Sequence, residues 1–463
     1  MSNKSTLLSR GTFIKSVTGA VLGAPFIARS LHAAEPSKVL RHASFGASGQ
    51  AWNDIESIMS NPFVELVAVA DVDLDKVARV RQAFPKARIY QDWRQLLDKE
   101  GSGLDSVNVS VPDHMHAPIA YSAMQLNKHV YCEKPLAHDI YETRVLTKLA
   151  KEKKVITQMG IQIHSLKVYR QAVAIVQSGV IGKVKEVHTW SNKKWGAAGA
   201  PPAARGPVPA NLNWDLWLGT AQDRPFIPGY YHPGEWRKRL DFGTGTFGDM
   251  GCHIFDPVFS ALALTSPISL RSEGPSPDHW NWATNAVIKY TFPGTRFTAN
   301  STVDVTWYDG DRRPPREIQE LIVSKKPKSE TAAKSSKAKS PTSIELSQGS
   351  IIIGTAGVLH VPHVASPELF PENKFSDYKL PDIKSTHHWS DWAEAIVGLP
   401  GKPEAPFDYS GPLTETVLLG SIAVRYPHTT LKWNSKDLKF DNETQANAYL
   451  RRTYRKGWEV TGL

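Results

Sequence analysis

Cysteine is nearly absent: Cys132 and Cys252 are the only two in 463 residues. Two thiols so far apart make neither a disulfide framework nor a cysteine-based zinc motif, and both are expected as core thiols. Beyond the N-terminal segment no run is long and apolar enough to span a membrane without charges or breakers. A Gly-x-Ser-x-Gly turn is missing, which argues against hydrolysis by a serine triad. The adjacent His387 and His388 lack spaced His, Cys, Asp or Glu companions, so no metal is expected.

What is present describes a soluble globular chain, 41% hydrophobic and 22% charged, too long for one ordinary domain. The formal net charge of +10 permits attraction to acidic partners. Much of that surplus fits into one lysine-rich stretch, Lys325–Ser343, which reads as a mobile surface loop, and nucleic acid is not an expected partner. Residues 1–34 have the order of a signal peptide: Lys4 and Arg10, then a weakly apolar stretch from Val17 to Ile27, then His32-Ala33-Ala34. Ser9-Arg10-Gly11-Thr12-Phe13-Ile14-Lys15 resembles a twin-arginine export signal, with Gly11 where the second arginine belongs. An exported, periplasmic protein is expected.

From Lys38 onward apolar strands alternate with helical stretches. Lys38–Phe45 reads as a strand, and Gly46-Ala47-Ser48-Gly49-Gln50-Ala51 as a turn into a helix over Trp52–Met59. Glycines let a backbone approach a pyrophosphate, and the free N–H groups of a helix start bind it. Ser48 and Ala51 replace the second and third glycines of Gly-x-Gly-x-x-Gly, though both are small. Val64–Ala70 reads as a buried strand ending at Asp71, which follows Gly49 by the roughly 20 residues expected of a ribose-binding carboxylate. A carboxylate there repels a ribose phosphate and favours NAD over NADP, with Asp73 as its competitor. Further strands are expected at Ala87–Tyr90, Leu104–Val111, His129–Cys132 and Val155–Met159, with helices at Ala117–Asn127 and Ile140–Glu152. The pattern predicts a doubly wound parallel sheet over residues 35–160.

Residues 161–463 have a different texture. A helix is expected at Val168–Gln177 and strands at Val184–Trp190, Ala286–Phe292, Phe297–Val303, Glu317–Val323 and Ser350–Thr355. They predict an α+β domain built on a large, mostly antiparallel sheet. Gly196–Ala210 reads as a surface loop near the site. Trp214–Gly219 and Tyr230–Arg237 carry aromatics suited to sugar C–H faces, although in a chain with 14 tryptophans they equally suit a core. His253 is expected to open a helix reaching Leu264, with Asp249 just before it. Further helices are expected near His387–Trp392, at Thr414–Ala423 and at Asn447–Tyr454.

Glu133-Lys134-Pro135, Pro112-Asp113-His114-Met115-His116, Ser178–Val184 and Gly243–His253 together resemble the Gfo/Idh/MocA oxidoreductase family, the group of glucose–fructose oxidoreductase and inositol dehydrogenase. The resemblance runs from about Lys38 to the C-terminus. It implies that Lys134 lies beside the nicotinamide and the substrate hydroxyl, and that Asp249 and His253 form the family's Asp-x-x-x-His pair, with the histidine as proton acceptor. The cofactor is then expected against Gly46, Ser48, Gly49, Gln50, Asp71, Pro112, His116, Glu133 and Lys134. A sugar, polyol or glycan is expected against Lys134, Trp236, Arg237, Asp249 and His253. The reaction expected is oxidation or reduction of a carbohydrate hydroxyl by a tightly held, recycling NAD, in a homo-oligomer. Two alternatives stand beside it. One is an NAD-cycling glycosidase or lyase, with Tyr230, His232 or Glu235 as a further acid or base. The other is a non-catalytic sugar-binding protein.

Overall fold

Near-continuous apolar runs such as Val64–Ala70 can be satisfied only where both faces of a strand are covered, which is the condition inside a parallel sheet. The computed structural model describes residues 39–323 and 347–463, so residues 1–34, read from sequence as a signal peptide, and Lys325–Ser343 lie outside the described residues. Its first sheet comprises β1 (Leu40–Phe45), β2 (Val64–Ala70), β3 (Arg88–Tyr90), β4 (Ser106–Val109), β5 (His129–Glu133) and β6 (Thr157–Gly160). The strands are all parallel, in the order β3-β2-β1-β4-β5-β6. The order reverses between β1 and β4, and there the strand ends part into a crevice, the place where open α/β sheets bind ligands.

Gly46 sets the shape of that crevice. Its φ of 101° is one that a side chain rarely adopts, and an added Cβ would overlap the carbonyl oxygen of Ser110 beyond β4. The turn then enters helix Gln50–Met59, whose N-cap is Gly49.

The second sheet comprises β7 (Val184–Ser191), β8 (Ser269–Ser272), β9 (Val287–Pro293), β10 (Thr302–Asp309), β11 (Gln348–Gly354), β12 (Val358–Pro362), β13 (Glu368–Phe370), β14 (Thr430–Asn434) and β15 (Lys439–Phe440). Among the described residues its nine strands run β13-β12-β11-β7-β10-β9-β8-β14-β15. Only the β7–β10 pair is parallel. The short strands β8 and β12 to β15 are additions to the sequence reading.

Four elements differ from expectation. Helix Gly245–Ile254 begins eight residues before His253 and is followed by a second helix, Asp256–Leu262. The strand expected at Phe297–Val303 starts at Thr302, because Thr295–Ser301 forms a turn closed by the bond from Gly294 N to Ser301 O at 2.7 Å. Glu317–Val323 is not a strand. Pro315 caps a short helix, Arg316–Gln319, which tightens into a 3-10 turn, and Ile318 and Ile322 pack on Trp190 and Tyr308 on the outer face of the second sheet. The C-terminal helix is instead a 3-10 turn over Thr444–Tyr449. The chain beyond it is held extended by Arg452, whose N–H donates to Asp139 Oδ2 at 3.0 Å and whose guanidinium donates to Glu142 at 2.8 Å.

Two C-terminal helices tie the sheets together. His388–Ile396 returns to the first sheet and buries Trp392 against Leu40, Ile58 and Tyr131. Phe407–Ala423 pairs Glu415 with Arg144 on helix Ile140–Lys153, and brings Gly420 against Tyr290 of β9. Among the described residues no helix is long and apolar enough to cross a membrane, and both cysteines are buried and free.

Replacing Gly46 with alanine is expected to destabilise the protein by about 3 kcal/mol, because the added methyl group meets backbone that cannot move aside. Urea unfolding checks this, and an unchanged midpoint would show that the turn relaxes.

Candidate active site

The crevice encloses about 470 Å³. Its walls include Gly46, Ser48, Gly49, Gln50, Asp71, Pro112, His116, Glu133, Lys134, Trp236 and Arg237, all residues singled out from the sequence. Gly49, with a φ of 60°, has no atom within 4 Å of where a Cβ would stand, so the helix start faces open space. Asp71, the residue after β2, braces the glycine turn, accepting from Ala47 N at 3.0 Å. Burial raises its carboxyl to about 6, against the backbone hydrogen bonds that oppose the shift. Asp73 does not compete for the crevice. Its carboxylate accepts from Asn211 Nδ2 at 2.6 Å and meets His232 Nε2 at 2.8 Å.

Those two contacts anchor a roof. After β7 the chain runs through Trp195 and the Gly/Pro/Ala-rich loop to Asn211, where Leu74 N donates to Asn211 O at 2.9 Å. Trp217, Tyr231, Trp236 and Phe242 then form their own hydrophobic cluster above the crevice. Most of the aromatics read from sequence therefore pack with one another, while Trp217, His232 and Trp236 also line the cavity. His116 lines it too, but its ring nitrogens lie 2.7 Å and 2.8 Å from the carbonyl oxygens of Pro135 and Val111, so it braces the Lys134-Pro135 turn.

At the inner end Lys134, just beyond β5, reaches Asp249. Its Nζ lies 2.7 Å from Oδ1 and 3.0 Å from the Asp249 carbonyl oxygen. The two side chains are only 12% and 11% exposed, which removes most solvent screening. Arg237 Nη1 lies 3.2 Å from the same Oδ1 and 3.5 Å from Asp113, and Trp195 Nε1 donates to Oδ2 at 2.7 Å. Asp113 accepts from Thr244 N and Oγ1 at 3.1 Å and 2.7 Å, which fixes the entry to helix Gly245–Ile254. Burial alone would raise the Asp249 carboxyl, but Arg237 and Lys134 hold it well below the ordinary carboxylate range. It is a permanent anion.

Asp249 and His253 stand four residues apart on one helix, so they share a face. They are not hydrogen-bonded to each other. Asp249 is fully engaged by Lys134, Arg237 and Trp195, while His253 Nδ1 has no partner among the described residues. Burial, then the Lys134 charge, push the His253 pKa well below its ordinary value, so the ring is neutral at physiological pH. Its ring centroid lies 6.3 Å from that of His363, which is held by Tyr169 OH at 2.8 Å. Neither Asp249 nor His253 lines the nucleotide cavity; they stand behind Lys134 and Trp195.

Trp195, His363 and Tyr169 had no role in the sequence reading, and Asp113 entered it only as part of the Pro112–His116 motif. Trp195 carried one usable signal, its place just beyond β7. Of the three acid/base candidates for glycoside cleavage, His232 is bound to Asp73, Glu235 to Lys238, and Tyr230 to Asn281 with Arg239 stacked on its ring. Among the described residues no group of three or more His, Cys, Asp or Glu is placed to hold a metal ion.

Residues 40–161 match the model of an oxidoreductase family with an NAD-binding Rossmann fold, Gfo/Idh/MocA, and residues 165–299 match that of its C-terminal alpha/beta domain. A levoglucosan dehydrogenase of Pseudarthrobacter phenanthrenivorans is 24% identical over 42% of this chain and 41% of its own length. An inositol 2-dehydrogenase of Salmonella typhimurium is 32% identical over 27% of this chain and 37% of its own. The chain thus spans about two fifths of the length of these relatives. The WlbA dehydrogenase of Bordetella pertussis, solved with NADH and UDP-GlcNAcA, shares the fold at 14% identity, with a TM-score of 0.58 over 86% of this chain and 99% of that one.

Trp195→Phe removes the donor to Asp249 Oδ2 and keeps an aromatic ring in place. A loss of about 1.5 kcal/mol is expected, read as a lower urea midpoint at unchanged slope. No loss would mean that the indole does not hold the carboxylate in solution.

Proposed function

Since the chain belongs to the Gfo/Idh/MocA oxidoreductase family, we propose that it is an NAD-dependent oxidoreductase acting on a hydroxyl of a sugar or polyol. The observation that carries the reading is the placement of Lys134. Its ammonium group stands at the inner end of the dinucleotide crevice, in contact with Asp249 and one helical turn from His253.

The crevice suits a dinucleotide. Gly46 lets the turn pack closely on Ser110, Gly49 leaves room for a pyrophosphate at the start of helix Gln50–Met59, and Asp71 sits just beyond β2, where a ribose diol is held. When bound, NAD supplies a hydride acceptor at its nicotinamide ring. Lys134 donates to the substrate oxygen and stabilises the negative charge that develops there. Asp249, held ionised by Lys134 and Arg237, keeps that ammonium group aimed. The neutral His253 ring is the proton acceptor, and Trp236, Arg237 and His363 stand at the substrate side. Levoglucosan and inositol, named for two relatives, are polyhydroxylated rings of the class such a constellation handles.

Export belongs to the same proposal. Free nicotinamide cofactor is scarce outside the cytoplasm, so an exported enzyme has to retain its own. The roof tethered to Asp73 through Asn211 and His232 supports retention.

Mass spectrometry of small molecules released by denaturing the purified protein is expected to find near-stoichiometric NAD. NADP would overturn the reading of Asp71, and failure to retain or bind either nucleotide would overturn the enzyme. Lys134→Ala is expected to lower kcat by about 100-fold or more while the chain stays folded, since Arg237 still neutralises Asp249. Because the His253 pKa is depressed, the acid limb of kcat/KM for alcohol oxidation is expected below pH 6.5, with a plateau above it. A limb at or above neutrality would exclude His253 as the base.

A further inference from the structure

A second pair of acidic side chains lies at the floor of the crevice, apart from Asp249. Asp54, fully buried on helix Gln50–Met59, and Glu133, the last residue of β5, are neighbours that share one donor, Gln50 Nε2, at 3.0 Å and 3.4 Å. Among the described residues neither forms an ion pair, because the ammonium group of Lys134, next in the chain, is turned towards Asp249. The absence of a side chain at Gly160 makes the space for the Glu133 carboxyl, which a Cβ there would overlap.

Every other contact of the pair is a donor. Asp54 accepts from Ser110 Oγ at 2.7 Å, Trp389 Nε1 at 3.0 Å and Gln50 Nε2 at 3.0 Å. Glu133 accepts from Gln162 Nε2 at 2.6 Å, Lys134 N at 3.3 Å and Gln50 Nε2 at 3.4 Å. Ser110 is in turn met by Asn108 Nδ2 at 2.9 Å, and Asn108 Oδ1 by His42 Nε2 at 2.9 Å. Burial lowers the His42 pKa to about 4, so its ring is neutral and its Nε2–H begins a file of donors that ends on Asp54. Two neighbouring buried carboxyl groups without a paired cation do not both ionise at neutral pH, because the first charge raises the pKa of the second. The donor file places the anion on Asp54, which leaves the proton on Glu133. Burial first, and Asp54 second, raise the Glu133 pKa well above its ordinary value, against the opposing charge of Lys134. The other titratable groups facing the pair are Tyr131 and Cys132 of β5, both buried with raised pKa values, and Arg237 across the crevice.

We propose that Asp54 and Glu133 share a single proton and set the charge of the crevice wall beside the nicotinamide, biasing it between the oxidised and reduced cofactor. This rests on the NAD reading given above. With one proton the pair carries one negative charge; when Glu133 loses that proton to solvent it carries two. The nicotinamide ring is cationic in NAD⁺ and neutral in NADH, so the doubly charged wall favours NAD⁺. Asp54 and Glu133 act through this field on the cofactor, as positioning residues that do not touch the reacting carbon.

Infrared difference spectroscopy of the full-length protein at neutral pH, without added cofactor, is expected to show the deuterium-sensitive C=O band of a protonated carboxyl, lost in Glu133→Gln. In the wild type the ratio of the NADH to the NAD⁺ dissociation constant, read by fluorescence titration, is expected to rise up to about tenfold from neutral to alkaline pH. Glu133→Gln sets a neutral amide beside one carboxylate. It is expected to keep the neutral-pH ratio and to lose its pH dependence, whatever it does to either affinity alone. Absence of the band, its survival in Glu133→Gln, or a flat wild-type ratio would overturn the proposal. Failure of both nucleotides to bind would overturn the cofactor reading and the bias together, with the infrared band still reporting on the proton.

Discussion

Lys134 closes a strand of the first sheet, and Asp249 sits on a helix packed against the second. Their contact at 2.7 Å is therefore where the two sheets are held in register around the crevice. A shielded carboxylate of this kind needs a cation at all times, because an unpaired charge would be stranded away from water. Neighbouring polar residues answer to this constraint. Arg237 adds a second cation, Trp195 takes the remaining oxygen, and Asp113 anchors both Arg237 and the start of the Asp249 helix through Thr244. Charge balance at one carboxylate thus fixes four chain segments that are distant in sequence.

Covalent continuity reinforces the arrangement. The C-terminal segments do not stay with the second sheet: helix His388–Ile396 returns to β1 and β5, and helix Phe407–Ala423 touches helices or strands belonging to both sheets. Trp389 of the returning helix bonds Asp54, so the floor of the nucleotide crevice is completed by residues more than three hundred positions away. The crevice is accordingly a property of both sheets and the helices that join them rather than of the first sheet alone.

Legibility differed by kind of signal. Parallel strands with unbroken apolar runs were readable nearly to the residue: Val64–Ala70 matches β2, and His129–Cys132 matches β5 but for Glu133. Of helix Gly245–Ile254 only the end, His253 and Ile254, was legible, because Gly245, Gly248 and Gly251 have poor intrinsic helix propensity. It forms because it is buried on nearly all sides, where Phe247 packs on Phe255, Tyr290 and Trp307, so tertiary contacts override the local preference. Glu317–Val323 misled in the opposite direction. Its apolar residues looked like a strand, while the spacing of Ile318 and Ile322 suited one helical face against the second sheet.

By itself the sequence determined the parallel sheet, the glycine turn and the chemistry available at its rim, because these rest on local periodicity and on residues close together in the chain. Lys134, Asp71, Asp249 and His253 were all legible as types in a pattern. Which of them touch was decided only by the tertiary structure. Four-residue spacing suggested an Asp249–His253 pair, yet Asp249 binds Lys134 and Arg237, since full charges brought together by distant segments outcompete a neutral ring on the same helix. The Asp54–Glu133 contact was likewise invisible beforehand. It depends on the register of β5 against helix Gln50–Met59 and on burial deep enough to oppose a second charge at neutral pH, and neither is written in any short stretch of residues.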